Sequence, residues 1–199
     1  MADGILKVGQ IQTSSGSGTI TLGQSGETLS VPSGATLDMS SGTMTLNSDM
    51  KNTPAFQAAM STASQALSDN TQAKVAFNVV TYDSGSTYDT SLYRWTPGVA
   101  GKYFVSTSVY NSADSNSEMS TTHCTFKKSG TIIHYIGNLD SRVAGYGRGK
   151  VTAGSAVIEL GAADYVEVFA TVNTVSGGAA RVNGETTQTW FNGFKLIGF

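Results

Sequence analysis

Charge is scarce in this chain: Lys, Arg, Asp and Glu make up 13% of its 199 residues, about half the usual share. The formal net charge is −2 and no basic tract occurs, so an electrostatic partnership with nucleic acid is not expected. A single cysteine, Cys124, excludes an intrachain disulfide. Its setting in the strand-like run His123–Phe126 suits a small buried filler. No apolar stretch approaches the ~18 residues of a membrane span, which excludes membrane insertion by a helix. Met1–Lys7 lacks a basic region followed by an apolar run, so no secretory signal is expected and the protein is expected to be made in the cytoplasm. Helical stretches rich in Glu, Lys and Leu are also missing, which argues against a bundle or coiled coil. Ser, Thr, Asn and 23 glycines fill the gap. That mixture suits β-structure with many turns. Without disulfides, oligomerisation is the expected staple.

The strongest pattern is a repeat. Thr19–Leu22, Thr28–Val31, Thr36–Met39 and Thr43–Leu46 each place two apolar residues two apart: Ile20 and Leu22, Leu29 and Val31, Leu37 and Met39, Met44 and Leu46. Gly23–Gly26, Pro32–Gly34 and Ser40–Gly42 lie between them and are turn-formers, because glycine permits positive φ and proline presets it. Short strands joined by tight turns at a near-constant period predict a fibrous β-stem. The polar positions Thr21, Ser30, Asp38 and Thr45 alternate with the apolar ones, as in a strand with one buried face. One chain buries so narrow an apolar edge poorly, so the eight apolar residues are expected to form the core of a stem of three chains around a common axis; a two-chain packing or a monomeric half-sheet is the alternative and leaves more edge exposed.

Before the repeat, Ile5, Leu6, Val8 and Ile11 form a short apolar patch followed by the Ser/Gly-rich Thr13–Gly18. This reads as an anchoring peg and a flexible joint over residues 1–18. The stem takes residues 19–53. After Pro54, Ala55–Leu67 reads as irregular strand and turn, with a short helix as the alternative. From Ala73 onward, eight to ten short runs rich in β-branched and aromatic residues alternate with Gly/Ser/Asn/Asp loops, the pattern of a β-sandwich or jelly roll over residues 54–199.

Pro54-Ala55-Phe56, Val75-Ala76-Phe77-Asn78, Tyr88-Asp89, and Trp95-Thr96-Pro97-Gly98-Val99-Ala100-Gly101-Lys102-Tyr103-Phe104 stand in an order that resembles the globular heads of the complement and tumour-necrosis-factor superfamily. Leu160–Val168 resembles that family's leucine followed shortly by Gly-Asp-x-Val, and Thr189–Leu196 resembles its last strand. The resemblance covers roughly Pro54 to Phe199; Ala162-Ala163-Asp164 and Asn192 depart from the family's usual Gly-Asp and Ser. It implies a ten-stranded jelly roll that associates as a threefold homotrimer. The leader, Met1 to about Asn47, is similar to that of fibre-like virion proteins of tailed phages. Peg, stem and knob in that order is how viral fibres are built.

No constellation of acids, bases and nucleophiles converges, so no catalytic residue is expected. His123 and His134 with Cys124 or Asp140 could approach a metal, but neighbours on a strand point to opposite faces. Loops carrying Asp83, Asp89 or Asp114 lack the density of a calcium site. Gly145–Gly149 looks like a phosphate loop without the strand-to-helix context such loops need. No metal and no cofactor are therefore expected. Phe77, Tyr103, Phe104, Phe169, Trp190 and Phe194 are assigned to the core or the trimer axis, whereas Tyr82, Tyr88, Tyr110 and Tyr146 are placed in loops. Tyr110, Asn111, Asp114, Asn116, Glu118, Arg142 and Tyr146 form the candidate distal binding surface, since tyrosine among small polar residues makes rigid amphipathic contacts.

The sequence thus predicts an all-β, non-enzymatic homotrimer on a virion surface: peg, trimeric β-stem and C-terminal ten-stranded jelly-roll knob. Its expected partners are copies of itself and a major capsid or tail protein, with a host-surface glycan as a further candidate. It would decorate or cement the capsid or form a short fibre. A tail-fibre receptor-binding protein is the alternative. A secreted bacterial trimeric lectin or adhesin is another, against which the missing secretory signal counts.

Overall fold

The computed structural model describes residues 9, 11–12, 18–46, 50–113, 118–140, 147–177 and 179–197. The chain divides into two compact units, Met1–Thr45 and Leu46–Phe199. Ile5, Leu6 and Val8 of the expected peg lie outside the described residues, and Ile11 is exposed.

In the first unit each repeat junction closes as a β-turn. The backbone N–H of Glu27 donates to Gln24 O (3.0 Å), that of Ala35 to Pro32 O (3.1 Å) and that of Gly42 to Met39 O (3.0 Å). Gly26 and Gly34 occupy the third turn position with φ of 90° and 83°, the type II geometry that a Cβ disfavours. Side chains reinforce the turns: the Glu27 carboxylate accepts from the Gln24 N–H (2.6 Å) and Asp38 from the Ser40 N–H (2.8 Å). The arms between the turns differ from the expectation, because no strand forms among described residues 18–46. An extended arm with no neighbouring arm has nothing to ladder with. Ile20, Leu22, Leu29, Val31, Leu37, Met39 and Met44 stay 38 to 65% exposed, and Leu46 is half-buried.

The second unit is a β-sandwich. Its strands are β1 (Ala55–Ala59), β2 (Gln65–Leu67), β3 (Ala73–Lys74), β4 (Val79–Asp83), β5 (Tyr88–Asp89), β6 (Arg94–Trp95), β7 (Gly101–Ala113), β8 (Met119–Lys128), β9 (Thr131–Asp140), β10 (Gly149–Leu160), β11 (Val166–Thr174), β12 (Ala180–Val182) and β13 (Trp190–Lys195). One sheet runs β2-β12-β7-β13-β1-β4, with β10 on the other edge of β7; the second runs β5-β6-β11-β8-β9, with β3 also on β11. All named pairings are antiparallel. Among the described residues thirteen strand segments stand where ten were expected, because short pieces such as β3 and β12 pair beside longer strands.

Alternation builds the core. On β7, Tyr103, Val105, Thr107, Val109 and Asn111 are all buried, the period of two that sends one side of a strand inward. Phe56 sits among Trp95 (4.6 Å between ring centroids), Phe191 (4.9 Å) and Tyr88 (5.1 Å). Buried polar groups find partners, as they must: the Tyr88 hydroxyl donates to Phe77 O (3.1 Å) and Trp95 Nε1 to Thr87 Oγ1 (2.8 Å). Gly193 on β13 makes room for this nest, since a Cβ there would come within 2.8 Å of Trp95 Cζ3 and 3.2 Å of Phe56 Cε1. Tyr88 was expected in a loop. It is instead a buried core ring on β5, held by stacking on Phe56.

Candidate interaction surfaces

Register between distant strands assembles an apolar row on the outer side of the first sheet. Val157 on β10 lies opposite Phe104 on β7, which lies opposite Phe194 on β13. The two phenylalanine rings meet at 5.3 Å, both half-buried, and Val157 is 57% exposed. The next row is polar and small: Ser155, Ser106, Asn192 and Gln57, ending at exposed Tyr82. Half-buried Trp190 follows, paired with Ser108. The edge strand β10 adds exposed Val151, opposite Tyr110. An apolar patch rimmed by polar side chains on a sheet face is the usual mark of a protein–protein contact. Phe104 and Phe194 were assigned from sequence to the core or the trimer axis, and they line this outer row. Val157 was missed, although the apolar run Ala156–Ile158 signals a strand with both sides apolar.

The outer side of the second sheet is built differently. Arg94 lies over the Tyr165 ring (4.6 Å) and Lys127 over Phe169 (3.8 Å), while Lys74 pairs with the nearly buried Glu167. Such cation–π contacts cover the aromatic faces with charge and leave this side wet. The His123 ring packs 5.5 Å from Tyr135, and desolvation lowers its pKa.

Of the expected distal surface, Tyr110, Asn111 and Glu118 lie within the described residues. Asn111 is fully buried on β7, where its Nδ2 donates to Thr152 Oγ1 (2.7 Å), because its strand position points inward. Tyr110 is half-buried in the same strand, opposite Val151, not in a loop. Glu118 is half-buried, and its carbonyl accepts from the Val175 N–H (2.7 Å). Asp114, Asn116, Arg142 and Tyr146 lie outside the described residues.

Asp83 and Asp89, two of the carboxylates weighed for metal binding, serve local structure. Asp83 accepts from the N–H groups of Gly85 and Tyr88 and from the Thr87 hydroxyl, and Asp89 caps the turn through Ser91 and Leu92. Cys124 is buried, and burial raises its pKa. Among the described residues no group of three or more His, Cys, Asp and Glu gathers, and no helix is long and apolar enough to cross a membrane.

This two-sheet topology has counterparts among solved structures. Eiger TNF from S. frugiperda is similar at 14% identity with a TM-score of 0.53, over 73% of this chain and 93% of that one. Murine APRIL at pH 8.5 is similar at 14% identity with a TM-score of 0.51, over 71% and 98%. The knob is a tumour-necrosis-factor-like jelly roll. No protein-family model and no curated protein matches the chain. At this identity the likeness describes the fold of the knob, and the surfaces above carry the functional argument.

Proposed function

We propose that this protein is a non-enzymatic homotrimer displayed on the surface of a tailed-phage virion, where it decorates the capsid or forms a short fibre. The carrying observation is the run of seven exposed apolar residues at repeat spacing between Ile20 and Met44, joined by turns that are already closed. Turns set in place without any strand pairing describe arms that await other chains. The Val157–Phe104–Phe194 row gives the knob its own apolar surface for the same association. Threefold symmetry follows from the resemblance to complement and tumour-necrosis-factor heads, and the virion setting from the resemblance of the leader to phage fibre-like proteins. In this reading Ile5, Leu6, Val8 and Ile11 anchor the trimer to a capsid or tail protein.

The anchoring claim is tested by deleting residues 1–16. The truncated protein is expected to keep the oligomeric mass of the full chain and to be missing from purified particles. Undiminished incorporation would overturn the anchor and, with it, the assignment of the leader.

A further inference from the structure

We infer that an open pocket of about 460 Å³ beside the β5–β6 pair, lined by Ser86, Thr87, Asp89, Thr90, Arg94 and Thr96, binds a neutral saccharide through adjacent hydroxyl groups. Its volume falls in the roughly 300–1,000 Å³ range of small-molecule sites. The chemistry of its lining is narrower than its size. Asp89 and Arg94 face each other directly in the β5–β6 register. The Arg94 guanidinium carbon lies 4.6 Å from the centroid of the Tyr165 ring, and its N–H donors lie along its planar edge. Among the described residues that edge makes no hydrogen bond or ion pair, and Nε is enclosed without a partner. An enclosed donor without a partner is costly, and native structures retain few of them.

Asp89 supplies the matching acceptor. Its Oδ1 takes the Ser91 N–H (2.8 Å), the Ser91 hydroxyl (2.6 Å) and the Leu92 N–H (3.0 Å), which fix the carboxylate in place. The bonds from Ser91 also hold its pKa below the usual carboxylate value, so it is ionised at neutral pH. Its Oδ2 is left for a ligand. The Thr87 hydroxyl is already engaged, donating to Asp83 (3.0 Å) and accepting from Trp95 (2.8 Å), and so shapes the wall. The hydroxyls of Ser86, Thr90 and Thr96 remain.

A fixed acceptor next to a free donor fork discriminates among ligand classes. A simple anion meets the Asp89 carboxylate, and a simple cation meets Arg94; each suffers like-charge repulsion. Two neighbouring hydroxyls of a sugar satisfy both, one donating to Asp89 Oδ2 and the other accepting from an Arg94 N–H, with the serine and threonine hydroxyls free to give or take. The site lies at the β5 end of the second sheet, the end opposite β9. It uses no residue of the repeat or of the Val157–Phe104–Phe194 row and requires only the folded knob.

Saturation-transfer difference NMR on the full chain with D-glucose, D-galactose and D-mannose, each supplied alone at millimolar concentration, tests the site. Transfer to at least one hexose is expected. Asp89→Asn, whose amide oxygen can still cap the turn, and Arg94→Lys are each expected to weaken binding about ten-fold or more, the scale of a lost charge-assisted hydrogen bond, with Asp89→Asn still melting cooperatively as a folded protein. Should Arg94→Lys fail to fold, Asp89→Asn, at a half-buried position, decides alone. Absence of transfer with all three sugars, or transfer that Asp89→Asn leaves intact, overturns the proposal. A trimer that enters particles but gives no transfer removes this site and leaves the virion reading standing.

Discussion

The stem and the knob are written in the same alphabet of Thr, Ser, Gly and alternating apolar residues, yet only the knob completes itself. Its strands run up to thirteen residues, as in Gly101–Ala113, long enough to return and pair with one another. Phe56, Trp95, Tyr103, Phe126 and Phe191 are consequently sealed from solvent. In the stem each arm between turns holds two apolar residues, and Leu29, Val31, Leu37 and Met39 remain open to water. Turn chemistry is complete in both regions. What separates them is whether a neighbouring strand pairs within the chain, and in the proposed reading other chains supply that neighbour to the stem.

That contrast can be broken or sharpened by substitution. The largest effect is expected in the knob: Phe191→Ala removes a ring packed against Phe56, Phe77 and Phe126 and should cost roughly 3–5 kcal/mol, read as a large fall in the melting temperature. The combined change Leu29→Asp and Leu37→Asp should leave the knob's melt in place and weaken self-association at least about a hundredfold, because it would bury charge between chains. An unchanged mass across dilution would refute the apolar stem interior. Gly34→Ala meets no neighbouring atom, so its cost is the strain of φ at 83°, about 1 kcal/mol, and it should appear in the stability of the oligomer.

The smallest effect is electrostatic. Asp164 is a half-buried cap that accepts from the Gly161 N–H (2.8 Å) and the Ser129 hydroxyl (3.0 Å) and pairs with Lys128 (3.0 Å). The Gly161 bond leads in holding its pKa below the ordinary value. A folded-state pKa below the unfolded one gives stability that is present above the unfolded pKa and lost as pH falls through the folded one. The melting-temperature advantage over Asp164→Asn should therefore be present at about pH 7 and shrink as pH falls below about 4. A constant difference across that range would contradict it.

Much of this was legible in the sequence where the physics is local. Gly26 and Gly34 announced turns because few other residues tolerate their φ, and the alternation over Gly101–Ser106 announced the first half of a strand that runs on to Ala113. The words around Trp95–Phe104 and Thr189–Leu196 led to the jelly roll that the structure shows. What failed was long-range. Tyr88, flanked by Ser, Thr and Asp, looked like a loop tyrosine, and only its stacking on Phe56 places it in the core. Asn111 looked like part of a polar loop because the strand's length past Tyr110 depends on pairing with β10 and β12. The row Val157–Phe104–Phe194 and the pair Asp89–Arg94 exist only through register between separate strands, which composition does not encode.

The most direct test of the central claim is the mass of the purified full chain in solution by light scattering, at micromolar and at nanomolar concentration. The account predicts a mass of about three chains at both. A single-chain mass at both would contradict it, leaving the exposed repeat residues and the apolar row of the knob without the partner they are proposed to have.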